Sequence, residues 1–162
     1  MIKNLIFFVI LAVAAPFLSA QETEVSEGKP EIWMKKKWDY AVNGYDTVAY
    51  FTVGEPVEGD DQFVTEYKGA KWRFSSAENL ALFEEDPAKY SPQYGGHCAY
   101  GLGKNGVLVH GDPKKWTILD DKLYLNLNGG IQKKWLKKTD FYITNANSVW
   151  PRALTEEIEI DW

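Results

Sequence analysis

Apolar and polar residues alternate in two stretches of the chain, and each stretch predicts a β-hairpin. Residues 63–74 carry Trp72 and Phe74 in alternation with charged residues, around a central turn that contains glycine. Residues 116–126 repeat this pattern around a pair of aspartates. A period of two places the apolar side chains on one buried face of a strand. Residues 48–53 are β-branched and aromatic, so they predict a further strand.

The spacing of apolar residues changes elsewhere and predicts short helices. Residues 75–78 match a capping box, and Leu80 and Phe83 follow at a helical spacing. Residues 131–138 and 145–150 predict helices nearer the end of the chain. Short strands interleaved with short helices are typical of an α+β domain. We therefore expect an α+β fold in which a small antiparallel sheet of two hairpins packs with a few short helices.

The first twenty residues have the pattern of an export signal. Lys3 precedes an apolar run at residues 5–15, and the segment 1–20 ends in small residues before Gln21. Such a run is too short to cross a bilayer and is typical of a signal peptide. We expect its removal to leave a protein in the periplasm or outside the cell, with no stable insertion in the membrane.

Composition divides the remaining chain and limits its partners. Residues 21–37 are mostly polar and predict a linker, residues 38–151 predict the compact domain, and residues 152–162 predict an acidic tail. Trp33 and Met34 are exceptions in the linker and could form a docking strip. The net charge of −5 argues against a nucleic-acid partner. The single cysteine excludes a disulfide within the chain.

The segment around Cys98 is the least ordinary part of the sequence. Gly95 and Gly96 precede His97 and Cys98, and His110 lies twelve residues after Cys98. Sulfur and imidazole donors suit copper or zinc. A glycine-containing loop would let adjacent residues reach one ion, so Cys98, His97 and His110 are the candidate metal ligands. A further ligand could come from Met34 or Asp112.

Three other interpretations of this segment stay open. Cys98 could be an activated thiol in an enzyme or redox protein, with His97 or His110 as its base. It could equally be a small buried residue that only fills the core. The tyrosines around the segment suggest a third function, a module that binds a small ligand or a protein partner without metal. Its candidate residues are Tyr45, Asp46, Tyr50, Tyr94 and Tyr100.

Several motifs occur in an order that resembles a known family. They are Tyr45–Phe51, Trp72–Ser76, Asp86–Tyr90, Tyr94–Gly101, Gly111–Pro113 and Trp150-Pro151. Over about residues 38–151 the chain resembles the exported bacterial YHS-domain proteins. This resemblance implies an exported binding protein rather than an enzyme. It also implies capture of a soft metal ion such as copper, or contact with an exported protein partner.

The same resemblance limits where a metal could bind. The metal-type members of the family carry cysteines at the positions that match Ala49, Ser75 and Asn79. None of these three residues supplies a thiolate. A metal bound by this protein is therefore expected to use other ligands.

Overall fold

The computed structural model describes residues 28–35 and 40–158. These residues form six short helices and three antiparallel sheets of two strands each, so the predicted α+β class is confirmed. The strands are β1 (Tyr45–Asp46), β2 (Val57–Glu58), β3 (Asp60–Tyr67), β4 (Ala70–Phe74), β5 (Asp112–Leu119) and β6 (Lys122–Asn126). The helices are α1 (Ala49–Thr52), α2 (Ala77–Glu85), α3 (Pro87–Tyr90), α4 (Ala99–Asn105), α5 (Gly129–Trp135) and α6 (Thr139–Val149). Three 3-10 turns lie at Val42–Gly44, Gln93–Gly96 and Arg152–Leu154.

Both predicted hairpins are confirmed. Strand β3 pairs with β4, and β5 pairs with β6, each in antiparallel register with one irregularity. The first hairpin turns through Lys68 and Gly69, and the second turns through Asp120 and Asp121. All four residues have positive φ, as a tight hairpin turn requires, and aspartate tolerates this conformation better than most residues.

The predicted strand at residues 48–53 is wrong, because this segment forms helix α1. The Asp46 side chain accepts hydrogen bonds from the backbone N–H groups of Val48 and Ala49, which fixes the first turn of the helix. Val48, Ala49 and Tyr50 are all fully or almost fully buried. The run of β-branched and aromatic residues shows no alternation, so its pattern cannot distinguish a strand from a helix.

Polar caps account for where several helices begin. Ser76 caps α2 by accepting a hydrogen bond from the Asn79 N–H, one residue later than the start of the predicted capping box. Asp86 caps α3, and Asn128 caps α5 in the same way. Helix α6 extends well before the predicted segment 145–150, and α4 lies where no helix was predicted.

The core consists of two clusters that share strand β6. The first surrounds the β3–β4 hairpin, where the Trp72 and Phe83 rings lie 5.0 Å apart. The second lies between α4, α5 and α6, around Trp135. Along β6, Leu123 and Leu125 face the first cluster, and Tyr124 faces the second. Full burial of a large apolar side chain stabilises the fold by about 1.5–3 kcal/mol.

The described residues at both ends pack against the domain. Ile32, from the segment predicted as a linker, is 2% exposed and belongs to the first cluster. The Lys29 N–H donates to the Leu154 carbonyl, and Ala153 is buried beside it. The docked strip, residues 28–35, thus runs across the domain surface. The predicted signal segment 1–20 lies outside the described residues.

Candidate functional site around the two histidines

A short two-stranded ladder brings the two histidines of the chain together. The Cys98 N–H donates to the Val109 carbonyl, and the Gly111 N–H donates to the Gly96 carbonyl. His97 and His110 lie opposite each other between these two bonds, in an antiparallel bridge. Residues opposite each other in such a pair send their side chains to the same face. The chain between Cys98 and His110 therefore folds so that both imidazoles share one side of the ladder.

Close backbone contact explains why residue 111, which follows His110 in this ladder, is a glycine. A Cβ atom on Gly111 would lie 2.5 Å from the Leu125 Cβ and 2.6 Å from the Gly96 carbonyl oxygen. Any side chain there would push the ladder away from β6. The absence of a side chain at Gly111 thus sets the distance between the histidine pair and the core.

The imidazole of His97 is buried without a hydrogen-bond partner. His97 is 4% exposed, and neither of its ring nitrogens makes a hydrogen bond. Burial lowers the pKa of His97, although the nearby carbonyls of Pro30 and Val109 oppose this shift. At neutral pH the ring is therefore uncharged, and one nitrogen has a lone pair that no other group uses.

Trp33 of the docked strip packs against the rings of both histidines. Its ring lies 5.5 Å from the His110 ring in a stacked arrangement and 5.9 Å from the His97 ring in an edge-on arrangement. The Trp33 N–H donates to the Gly95 carbonyl, which holds the strip in place. His110 is exposed to solvent. We refer to Trp33, His97 and His110 together as the histidine site.

A cavity of about 300 Å³ opens beside the histidine site. It is lined by Trp33, Lys35, Asn43, His110, Asp112 and Leu127. The side-chain oxygen of Asn43 is buried and has no hydrogen-bond partner. The sequence offered one sign of this cavity, namely two large apolar residues in an otherwise polar linker. It offered none for Asn43, because only the fold brings that residue near His110.

Cys98 faces away from the histidine site. The backbone is extended at both His97 and Cys98, so their side chains point to opposite faces. The Cys98 Sγ accepts a hydrogen bond from the Leu127 N–H at 3.2 Å and lies 3.8 Å from the Asn126 Oδ1. The residue is 1% exposed. The irregular loop that would bring Cys98 and His97 to one ion is therefore not found.

Within residues 28–35 and 40–158, no group of three or more His, Cys, Asp or Glu side chains is arranged to hold a metal ion. The two histidines supply nitrogen donors on one face, and the cysteine sulfur lies on another. The role of Cys98 as a metal ligand stays a prediction from its position in the sequence.

The predicted tyrosine pocket is divided between the two halves of the core. Tyr45 packs on the first cluster, whereas Tyr94 and Tyr100 pack in the second. Tyr50 is buried and donates its hydroxyl hydrogen to the Pro113 carbonyl. The Tyr94 hydroxyl donates to the Asn147 side chain, and burial raises the pKa of Tyr94. The tyrosines therefore do not line one common pocket.

Asp46 lies at the centre of a different polar cluster, which we call the Asp46 network. The residue is fully buried, and its Oδ1 accepts the two backbone hydrogen bonds that start α1. Its Oδ2 accepts from the Ser75 N–H at 2.8 Å, the Ser75 hydroxyl at 2.6 Å and the Asn79 side-chain amide at 2.7 Å. The carboxylate thus has five donors.

The Asp46 network occupies the positions at which metal-type relatives are expected to carry cysteines. Ala49, Ser75 and Asn79 all meet around the Asp46 carboxylate through the hydrogen bonds above. A methyl group, a hydroxyl and an amide stand there in place of three thiolates. These residues do not fit a thiolate metal centre. Where the three cysteines are expected in the metal-type relatives, this protein has groups that are hydrogen-bonded to Asp46.

Comparison with known families identifies the segment that contains Ser75 and Asn79 of this network. Residues 48–94 form a YHS domain. No curated protein and no solved structure matches the chain significantly. The YHS domain spans α1 to α3 and contains Ser75 and Asn79. His97, Cys98 and His110 lie beyond it, so the histidine site is built from residues that the family match does not cover.

No helix within the described part of the chain is both long and apolar enough to span a membrane.

Proposed function

We propose that this protein is an exported binding protein that captures copper through His97 and His110. YHS domains are often linked to the handling of heavy metals such as copper, which supports the class of ligand. The pattern of residues 1–20 supports export. Since the thiolate positions of the YHS domain are occupied by the Asp46 network, the proposal assigns capture to the two histidines.

The observation that carries the proposal is the unpartnered imidazole of His97. A buried polar group without a hydrogen bond destabilises a fold by about 1–3 kcal/mol. A metal ion on His97 would satisfy a nitrogen that forms no hydrogen bond of normal geometry with the described residues, although the carbonyls of Pro30 and Val109 lie near the ring. The neutral imidazole that burial favours is the form that binds copper or zinc. His110, exposed and opposite His97, would supply the second donor and the route of entry.

The proposal gives Trp33 a shielding role. Its ring packs against the rings of both histidines. A metal between the imidazoles would therefore be held beneath an aromatic surface, which limits contact with water and oxidants. Movement of the docked strip would open this cover.

The test is an anaerobic titration of the purified protein with Cu(I) against a chromophoric chelator. We expect His110→Gln to weaken binding at least tenfold, because it removes one of two donors from an exposed position. Cys98→Ala should bind as the unsubstituted protein does. Circular dichroism of each variant checks that the fold is intact.

The same titration can overturn the proposal in two ways. If the unsubstituted protein at micromolar concentration does not compete with the chelator, copper capture is excluded. If Cys98→Ala loses binding and His110→Gln keeps it, the sulfur is the ligand and the histidine pair is not. Asp61→Asn, at an exposed carboxylate of the β3–β4 hairpin, is the matched control and should leave binding unchanged.

A second candidate function is the binding of a small organic ligand in the cavity beside the histidine site. The unpartnered Asn43 oxygen and the side chains of Lys35 and Asp112 offer polar contacts around an apolar wall. Such a ligand would raise the melting temperature of metal-free protein. Trp33→Leu should abolish that rise, and the copper titration distinguishes this function from metal capture.

Thiol-dependent chemistry at Cys98 is not favoured by this geometry. A nucleophilic sulfur must reach its substrate, and Cys98 is 1% exposed. Its sulfur already accepts a hydrogen bond from Leu127 and has no contact with either imidazole among its hydrogen bonds. Alkylation of the thiol in folded protein should accordingly be slow at every pH at which the fold persists.

A further inference from the structure

The junction between α5 and α6 carries a concentrated positive charge. Four exposed lysines occur within six residues, at positions 133, 134, 137 and 138, and a single carboxylate, Asp140, follows them. The chain as a whole has a net charge of −5. A local excess of cations on an acidic protein indicates a surface that meets negative charge.

Two large apolar side chains are exposed among these lysines. Leu136 is 51% exposed and Phe141 is 45% exposed. They are two of the four large hydrophobic residues that are clearly exposed in the described part of the chain. We call Lys133, Lys134, Leu136, Lys137, Lys138 and Phe141 together the lysine patch.

Structural roles account for only part of the lysine patch. Lys133 and Lys134 lie in the last turn of α5, where cations favour the negative end of the helix dipole. The helix dipole does not explain why Leu136 and Phe141 are exposed. Among the described residues, none of the four lysines forms an ion pair with a carboxylate.

Buried anchors hold the patch in a fixed position. Trp135, in the middle of the lysine sequence, is fully buried and lies 5.2 Å from the Tyr124 ring. Ala146 and Val149 bury the other face of α6. The exposed side chains are therefore presented by a rigid junction and not by a loose loop.

We propose that the lysine patch docks this protein on a membrane surface that contains anionic lipids. The four ammonium groups would lie at the level of the lipid phosphates. Leu136 and Phe141 would enter the boundary between headgroups and acyl chains, as apolar residues of interfacial helices do. The docking is peripheral and needs no helix to cross the bilayer.

The combination of charge and apolar exposure favours a lipid surface over an acidic protein. An acidic partner would pair with the lysines but would add no apolar contact for the exposed parts of Leu136 and Phe141. An anionic bilayer accepts both kinds of side chain at adjacent depths. The remainder of the protein is acidic, so repulsion from the same surface would orient it with the lysine patch inward.

The test is co-sedimentation of the full chain with vesicles. Vesicles of phosphatidylglycerol and phosphatidylcholine in equal parts are compared with vesicles of phosphatidylcholine alone, which measure the binding that apolar residues, including 5–15, contribute without anionic lipid. We expect preferential binding to the anionic vesicles at low salt. Lys137→Gln with Lys138→Gln should weaken this preference by about fivefold for each lysine removed. Leu136→Ser with Phe141→Ser should weaken binding while leaving its salt dependence unchanged.

The matched control removes the same charge from another surface. Lys114→Gln with Lys122→Gln changes two exposed lysines of the β5–β6 hairpin and should bind as the unsubstituted protein does. Equal loss in both double variants would show that only net charge matters and would overturn the proposal. So would equal binding to both kinds of vesicle. Binding to soluble polyglutamate that is as strong as binding to vesicles and insensitive to the Leu136 and Phe141 changes would assign the patch to an acidic polymer instead.

Discussion

Two buried ionisable side chains, Asp46 and His97, differ completely in how their polar atoms are satisfied. The Asp46 carboxylate accepts five hydrogen bonds from two stretches of chain, residues 48–49 and 75–79. The His97 imidazole, almost equally buried, forms no hydrogen bond of normal geometry, although the carbonyls of Pro30 and Val109 lie near it. The first group connects the start of α1 with Ser75 and Asn79. The second has unused bonding capacity.

This difference shows how a site and a structural cluster can be distinguished without a bound ligand. Buried polar groups in folded proteins are nearly always hydrogen-bonded, so each exception needs an explanation. The Asp46 network needs none beyond stability, although it lies where relatives are expected to bind metal. In the histidine site, outside the family match, a ligand would satisfy His97, which is one of several buried polar groups without a hydrogen-bond partner in the described residues.

The largest expected effect on this comparison comes from a substitution at Asp46. We expect Asp46→Ala to lower the free energy of unfolding by about 3–5 kcal/mol, because it leaves the donors of Ser75, Asn79 and α1 without their acceptor. Urea denaturation measures this loss. Asp61→Ala, at an exposed carboxylate paired with Arg73, is the control and should cost less than about 1 kcal/mol.

A small loss at Asp46 would mean that the network does not stabilise the fold. In that case the five hydrogen bonds would be no stronger in the folded protein than those made to water. The histidine site should be unaffected in Asp46→Ala protein that remains folded, since the two groups lie in separate segments.

The docked strip can be displaced from the histidine site by a change at Gly95. A Cβ atom at this position would lie 1.8 Å from the Glu31 carbonyl oxygen, and the residue has a φ of +60°. We expect Gly95→Ala to release residues 28–35, at a cost of about 2–4 kcal/mol from strain and steric overlap. Limited proteolysis within the strip would detect the release.

Gly69→Ala is the matched control for this prediction. Gly69 also has a positive φ, of +71°, but no atom lies within 4 Å of a Cβ built there. It should cost about 1 kcal/mol through backbone strain alone and leave the strip protected. Equal proteolysis of the two variants would contradict the role assigned to the Gly95 contact.

The smallest effect concerns pH and isolates His97. Its folded pKa is lowered by burial from the ordinary value near 6.5, so the unfolded chain binds a proton more readily than the folded protein. The contribution of neutral His97 is fully present above about pH 6.5. It is lost as the pH falls from there through the folded pKa, by up to about 1.4 kcal/mol per pH unit. His97→Phe should reduce this dependence in urea unfolding between pH 7 and pH 5.

His110 and all carboxylates are present in both proteins of that experiment, so they cancel in the comparison. An identical decline with pH in the His97→Phe protein would show that His97 does not titrate in this way. The buried neutral imidazole would then lose its support as a metal donor.

Local patterns in the sequence predicted the hairpins well, because turn residues and alternation act within a few positions. Residues 48–53 predict a strand because they are β-branched and aromatic. Such residues are also common in buried helices, so the local pattern does not distinguish the two. The Asp46 side chain decides between the two, and its bonds to Ser75 and Asn79 span about thirty residues. No short pattern shows contacts of that length.

The candidate site was predictable in part. The sequence singled out His97 and His110, and the structure brings them together. It could not show that extended backbone turns Cys98 to the opposite face, since glycine-rich sequences permit many conformations. The sequence shows Trp33 as an apolar residue in a polar segment, but its stacking on His110 depends on the Gly95 contact.

Strand β6 carries a consequence for the boundaries of the YHS domain. Leu123 and Leu125, which help to close the first core cluster, lie about thirty residues beyond the family match. In this protein, residues that follow the matched segment complete its hydrophobic core. The matched segment is therefore not an independent unit that could be separated from the rest of the chain. Substitutions in the second half of the chain are constrained by the core of the first half.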